Sequence, residues 1–137
     1  MDPPGQTQED QTTPPSRTAE QVEEAWAAEA LGNRIRQGDN QMRTMPEEDA
    51  KKIIVNLYGR WVEVYTATVP LGAPFVAPYP TRLLPACFEF VFNTGTAGPC
   101  MLKAALADPD FASSCDQHTY EATKALYGMT SILASAF

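Results

Sequence analysis

Histidine is nearly missing from this 137-residue chain: His118 stands alone, and one imidazole excludes a metal centre built on two or more histidines. Cysteine is scarce too. Cys87, Cys100 and Cys115 make an odd count with no secretory signal visible, which fits free thiols in a reducing, cytoplasmic compartment. No apolar run approaches the roughly 18 residues needed to span a bilayer, so no membrane partner is expected. A phosphate-binding loop is also absent, because Asn93-Thr-Gly-Thr-Ala-Gly98 contains no lysine. Basic residues are outnumbered, 10 against 17 acids, for a net charge of −7. That balance argues against sequence-specific DNA binding, which usually needs a strongly basic face.

The charge that is present is unevenly spread. Residues 1–30 hold seven acids and one base, whereas residues 31–60 hold six bases and four acids. The local excess consists of Arg34, Arg36, Arg43, Lys51, Lys52 and Arg60. Two readings stand side by side: a solvated surface, and a contact for phosphate backbone.

Residues 1–17 carry Pro3, Pro4, Pro14 and Pro15 among Gln, Thr, Glu and Asp, with no large apolar residue after Met1. Such a stretch cannot bury enough surface to offset its ordering entropy, so it reads as a flexible polar arm. Residues 18–137 read as one helical domain. Thr18 and Gln21 have capping-box spacing, and Ala19, Ala25, Ala27, Ala28 and Ala30 favour helix. Gly32-Asn33 is expected to end this first helix, and Asn33–Arg43, with Gly38-Asp39-Asn40, reads as a loop. The helix has a thin apolar face of Val22, Trp26 and Leu31. Trp26 is placed either as an anchor on another molecule or as a dock onto the chain's own core.

The second helix is the best specified. Thr44 is expected to cap it, Pro46 sits in its first turn, and Glu47, Glu48 and Asp49 suit the helix dipole. Ala50, Ile53, Ile54, Leu57, Tyr58, Trp61, Val62 and Tyr65 recur at three- and four-residue steps, a wide core-facing stripe. Gly59 interrupts it, and close packing of a neighbouring helix would explain a glycine there. Pro70, Pro74, Pro78 and Pro80 exclude helix over the next segment. Leu83–Phe92 fits a buried strand through Phe88, Phe90 and Phe92. It also fits a buried helix through Leu84, Cys87, Phe88, Val91 and Phe92. Helix is favoured because the neighbouring elements are helical and no second strand is evident. A short helix through Met101 to Leu106 and a long one over about Asp116 to Ser135 complete an all-α bundle of four or five helices. The aromatics Tyr58, Trp61, Phe88, Phe90 and Phe92 are assigned to its core. The chain stops at Phe137 without a polar tail, as a fragment of a longer protein would.

No arrangement signals catalysis. Cys115 and His118 lie three apart, but a zinc site would need Cys87 and Cys100 to converge on them at unfamiliar spacings. As a catalytic pair they have no orienting acid or oxyanion device. Asp108 and Asp110 flank a proline in a turn, which accounts for both. The expectation is a non-enzyme with no cofactor, no metal and no small-molecule substrate.

The layout of residues 50–100 resembles the N-terminal half of the core of coat proteins from flexuous filamentous plant viruses. The matching features are an apolar helix (Leu57–Tyr65), a Val69-Pro70 turn, a second buried helix with an early cysteine (Leu83–Phe92, Cys87), and a polar turn, Asn93-Thr-Gly-Thr96. The resemblance implies an all-helical core behind a polar arm, a homo-oligomer, and single-stranded RNA as cargo in a virion. RNA contact would then fall on Arg34, Arg36, Arg43, Lys51, Lys52, Arg60, Asn93, Thr94 and Thr96. Self-assembly would fall on Val22 and Trp26. The arginine and aspartate of the family's RNA pocket lie beyond the matching region and are not assigned to residues here. The alternative from a different class is a monomeric adaptor that presents a groove or helix to another protein.

Overall fold

The computed structural model describes the backbone of residues 19–76 and 78–135 and the side chains of residues 29–76 and 78–133. The polar arm and the side chains of Val22 and Trp26 lie outside the described residues. The chain is all-α: the described residues form six α-helices and one 3-10 turn, and no strand occurs among them. Contacts divide the chain into two units, residues 1–32 and 33–137. In the first unit the described backbone is helical from Ala19 onward.

The second unit holds the core, and α2 (Glu47–Thr68) runs through it. Ile54, Trp61 and Tyr65 on its apolar stripe are buried. The helix α3 (Leu84–Thr94) buries Ala86, Cys87, Phe90, Val91 and Thr94, a set spaced one helical turn at a time. It packs on α2, as does α6 (Gln117–Ser135). The buried indole of Trp61 donates from Nε1 to the carbonyl of Ala122 at 2.7 Å, so the largest core residue ties α2 to α6. One turn earlier, the Tyr58 hydroxyl lies 2.7 Å from Thr123 Oγ1. Thr123 already donates to the Thr119 carbonyl at 2.7 Å, so Tyr58 is the donor of the pair. Burial raises the pKa of the Tyr58 hydroxyl, which keeps that proton in place.

Several expectations are revised by packing. The α-helix α1 spans Ala19–Thr44, so the helix expected to stop at Gly32-Asn33 continues through the supposed loop. The reason is tertiary. Ile35 and Met42 are buried, with Gly38 between them on the same side. A Cβ on Gly38 would stand 2.5 Å from the Phe92 carbonyl oxygen, so only glycine permits this approach. Next to it, Asp39 Oδ1 accepts from Thr96 N at 2.6 Å and from Thr96 Oγ1 at 2.8 Å. Thr96 is the residue before α4 (Ala97–Ala107), so this carboxylate meets the positive end of that helix. Thr44 does not cap α2. It closes α1, its hydroxyl donating to the Gln41 carbonyl at 3.2 Å, and Pro46 takes the N-cap position.

The sixth helix is the short α5, Pro109–Ser114, where a turn was expected. Asp108 Oδ1 caps it by accepting from Asp110 N at 3.0 Å. Gly59 is exposed and has nothing near a notional Cβ, so no close helix contact explains it. The segment Leu83–Phe92 is helical, preceded by the 3-10 turn Thr81–Leu83. Phe88 and Phe92 are only half-buried, unlike Phe90.

Candidate nucleic-acid interface

Helix α3 has two sides. Phe90 and Val91 point into the core, while Phe88 and Phe92, four residues apart, stack on each other on the outer side. Their ring centroids are 5.5 Å apart and nearly parallel, at 7°. Spacing of four on a helix brings such pairs together. The Arg34 guanidinium from α1 lies over the Phe92 ring at 4.4 Å, a cation–π contact that leaves its edge donors free for other partners.

These groups line an open cleft of about 600 Å³. Arg60 and Val64 come from α2, Arg82 from the 3-10 turn, and Glu89 and Asn93 from α3. Three guanidiniums thus face one carboxylate. Among the described residues none of the three arginines is held in an ion pair. The cleft offers cationic hydrogen-bond donors around an aromatic platform, in a chain that is acidic as a whole.

The positions expected to contact RNA are sorted by this geometry. Arg34, Arg60 and Asn93 line the cleft. Asn93 donates from Nδ2 to the Glu89 carbonyl at 2.8 Å, which fixes its side chain against its own helix. Arg36 is exposed and donates to Asn33 Oδ1. Arg43 is exposed in the last turn of α1. Lys51 pairs with Glu47 at 3.4 Å, and Lys52 is exposed on α2. None of these four lines the cleft. Thr94 is fully buried, its hydroxyl donating to the Phe90 carbonyl at 2.7 Å, and Thr96 is engaged by Asp39. Arg82, Phe88 and Phe92 were not among the expected contacts. The four-residue spacing of the two phenylalanines, beside Phe90, was the available signal that some of the aromatic run faces outward.

The cysteine and histidine chemistry resolves into structure. Burial pushes the Cys87 thiol up to about 12, so it stays a neutral core group. Cys100 is exposed and Cys115 half-buried. His118 Nε2 lies 2.7 Å from the Val69 carbonyl and donates to it, pinning the start of the proline-rich connector to α6. Among the described residues no group of three or more His, Cys, Asp or Glu side chains is placed to hold a metal ion. None of the described helices is long and apolar enough to cross a membrane.

A second feature is an apolar groove of about 130 Å³ between α2, α4, α5 and α6. Ile54, Val55, Tyr58, Met101, Leu102 and Phe111 contribute to its wall. Val55 and Met101 remain 58% and 39% exposed, so apolar surface is left uncovered there.

Compared with known protein families, with characterised proteins and with solved structures, the chain gives no match.

Proposed function

We propose that this chain is a non-enzymatic, self-assembling structural subunit of the coat or nucleocapsid kind, which binds single-stranded RNA in the Arg34–Arg60–Arg82 cleft. The observation that carries the reading is the aromatic pair Phe88–Phe92 set among three guanidiniums that hold no ion pair among the described residues. Sequence-independent binding of single strands uses this combination: cations follow the backbone, and ring faces accept any base. The cleft includes Arg34 and Arg60 from the local basic excess and Asn93 from the polar turn, residues the sequence also put forward for RNA contact. The apolar groove beside Val55 and Met101 supports the assembly half of the proposal, as a seat for the Val22–Trp26 face of a neighbouring copy. The groove equally suits a different protein, which is the adaptor reading.

Light scattering during size exclusion separates these readings, since an adaptor elutes as a 15.0 kDa monomer and a subunit as an assembly. Trp26→Ala should shift the assembly toward monomer with little change in the melting temperature. For RNA, fluorescence polarisation with a labelled oligouridylate should show binding that falls steeply with salt. Three phosphate contacts give a slope of about −2 for log affinity against log salt. Phe88→Ala should weaken binding by about 1–3 kcal/mol if a base stacks there. Binding unaffected by both Phe88→Ala and Arg82→Ala would remove the cleft from the proposal.

A further inference from the structure

Ala73, Phe75 and Tyr79 of the proline-rich connector, together with residues of α2 and α6, line an open pocket of about 350 Å³. Its wall includes Tyr65, Phe75, Tyr79, Glu121 and Lys124, and it shares no residue with the arginine cleft. Two of its polar groups are incompletely used. Tyr65 is 1% exposed, yet its hydroxyl has no hydrogen-bond partner among the described residues. A buried tyrosine hydroxyl ordinarily finds one. The ring cannot swing away to seek it, because it packs between Trp61, Phe75 and His118 at centroid distances of 6.0, 5.6 and 5.8 Å. Glu121 is half-buried and meets only neutral donors: Oε1 accepts from Gly72 N at 3.2 Å and Oε2 from Gln117 Nε2 at 3.1 Å. Among the described residues no cation pairs with it. A carboxylate has about four acceptor positions, so capacity remains.

We propose that this pocket binds an organic cation bearing N–H donors, a primary ammonium or guanidinium, which donates to the Glu121 carboxylate and the Tyr65 hydroxyl oxygen while its carbon chain lies against Phe75 and Tyr79. The two rings are stacked at 4.7 Å and 14°, giving a continuous aromatic wall. Aromatic rings next to a carboxylate favour cations over neutral or anionic solutes. Burial first, and the nearby Glu121 charge second, raise the Tyr65 pKa, so its hydroxyl stays neutral beside the carboxylate. Among the described residues Lys124 makes no ion pair with Glu121. Its ammonium lies 5.7 Å over the ring of Tyr120, which is not part of the pocket wall.

The same donor chemistry is found on a free polyamine and on a lysine or arginine side chain of another protein. Isothermal titration of the full chain at constant ionic strength with spermidine, and separately with N-acetyl-arginine amide and N-acetyl-lysine amide, distinguishes them. Tighter binding of spermidine identifies the free amine, and tighter binding of an amino-acid amide identifies a protein side chain. Saturable binding of one probe is expected in the wild type. Glu121→Gln should weaken it at least about tenfold, the scale of a lost charge-assisted hydrogen bond. Tyr65→Phe removes one oxygen and should weaken binding several-fold without unfolding the chain. Amide chemical shifts provide a readout in the unmutated protein, with changes centred on Gly72, Phe75 and Glu121. The proposal is overturned by the absence of saturable binding with all three probes. It is also overturned by shift changes scattered over the acidic surface, or by a folded Glu121→Gln variant that binds like the wild type.

Discussion

Trp61 and Gly59 sit two residues apart on α2 and show how differently single positions are constrained. The indole of Trp61 is wholly buried and satisfies its one donor on Ala122. Trp61→Ala would leave a cavity at the junction of α2 and α6 and remove the indole's hydrogen bond between them. The expected cost is about 3–5 kcal/mol. A domain of this size has only about 5–15 kcal/mol in total, so urea denaturation should show a midpoint near zero or no cooperative transition. Gly59 faces open space inside a helix. Gly59→Ala adds a methyl group that touches nothing and narrows the unfolded ensemble. It should therefore raise stability by about 0.5–1 kcal/mol in the same measurement. A loss of stability would mean that another molecule covers this face of α2. That outcome would also bear on the assembly reading.

Among the elements, α2 was legible because its apolar residues repeat with the helical period from Ala50 to Tyr65, and α6 for the same reason. The second half of α1 was not. Its burial rests on Ile35, Gly38 and Met42, three residues in an otherwise polar run, and Gly38-Asp39-Asn40 mimics a turn. What makes it helical is a contact with α3 and α4, some 57 residues away in sequence at Asp39 and Thr96. No local pattern contains that information. The candidate cleft was half legible for a related reason. The basic excess pointed to Arg34 and Arg60, but Arg82 and Phe88 join them only through the fold. Among the helix starts, α6 yields a pH test. Asp116 accepts from Thr119 N at 2.8 Å and from Thr119 Oγ1 at 2.9 Å, and the backbone bond, followed by the hydroxyl bond, lowers its pKa from 3.8. A depressed folded-state pKa gives stability that is complete above the unfolded value and lost as pH falls through the folded one. Asp116→Ala should thus melt below the wild type at neutral pH, and the gap should close as pH falls below 3.8. A gap that persists in acid would show that the hydrogen bonds do not depend on ionisation.

For the whole molecule, the distribution of charge makes a firmer argument than its sum. The excess of six acids in residues 1–30 accounts for most of the net −7, and removing it leaves a chain of −1. Residues 33–137 form a unit with its own contacts and contain the arginine cleft, the core tryptophan and the cation-lined aromatic pair. A single-stranded RNA approaching the full chain meets a like-charged segment, and that repulsion is screened by salt. If the chain binds RNA as proposed, the acid excess of residues 1–30 would disfavour that binding in a free subunit. In the proposed assembly, docking of that segment on a neighbouring copy would move the opposition away from the cleft and couple packaging to polymerisation. Deletion of residues 1–30 separates the two activities. The shortened chain should keep its helical circular dichroism and elute as a monomer. At low salt it should bind oligouridylate more tightly than the full-length monomer does, with the difference shrinking as salt rises. Retention of the full assembly after deletion would show that the first helix does not mediate it. Unchanged RNA affinity at every salt concentration would show that the acid excess does not act on the cleft.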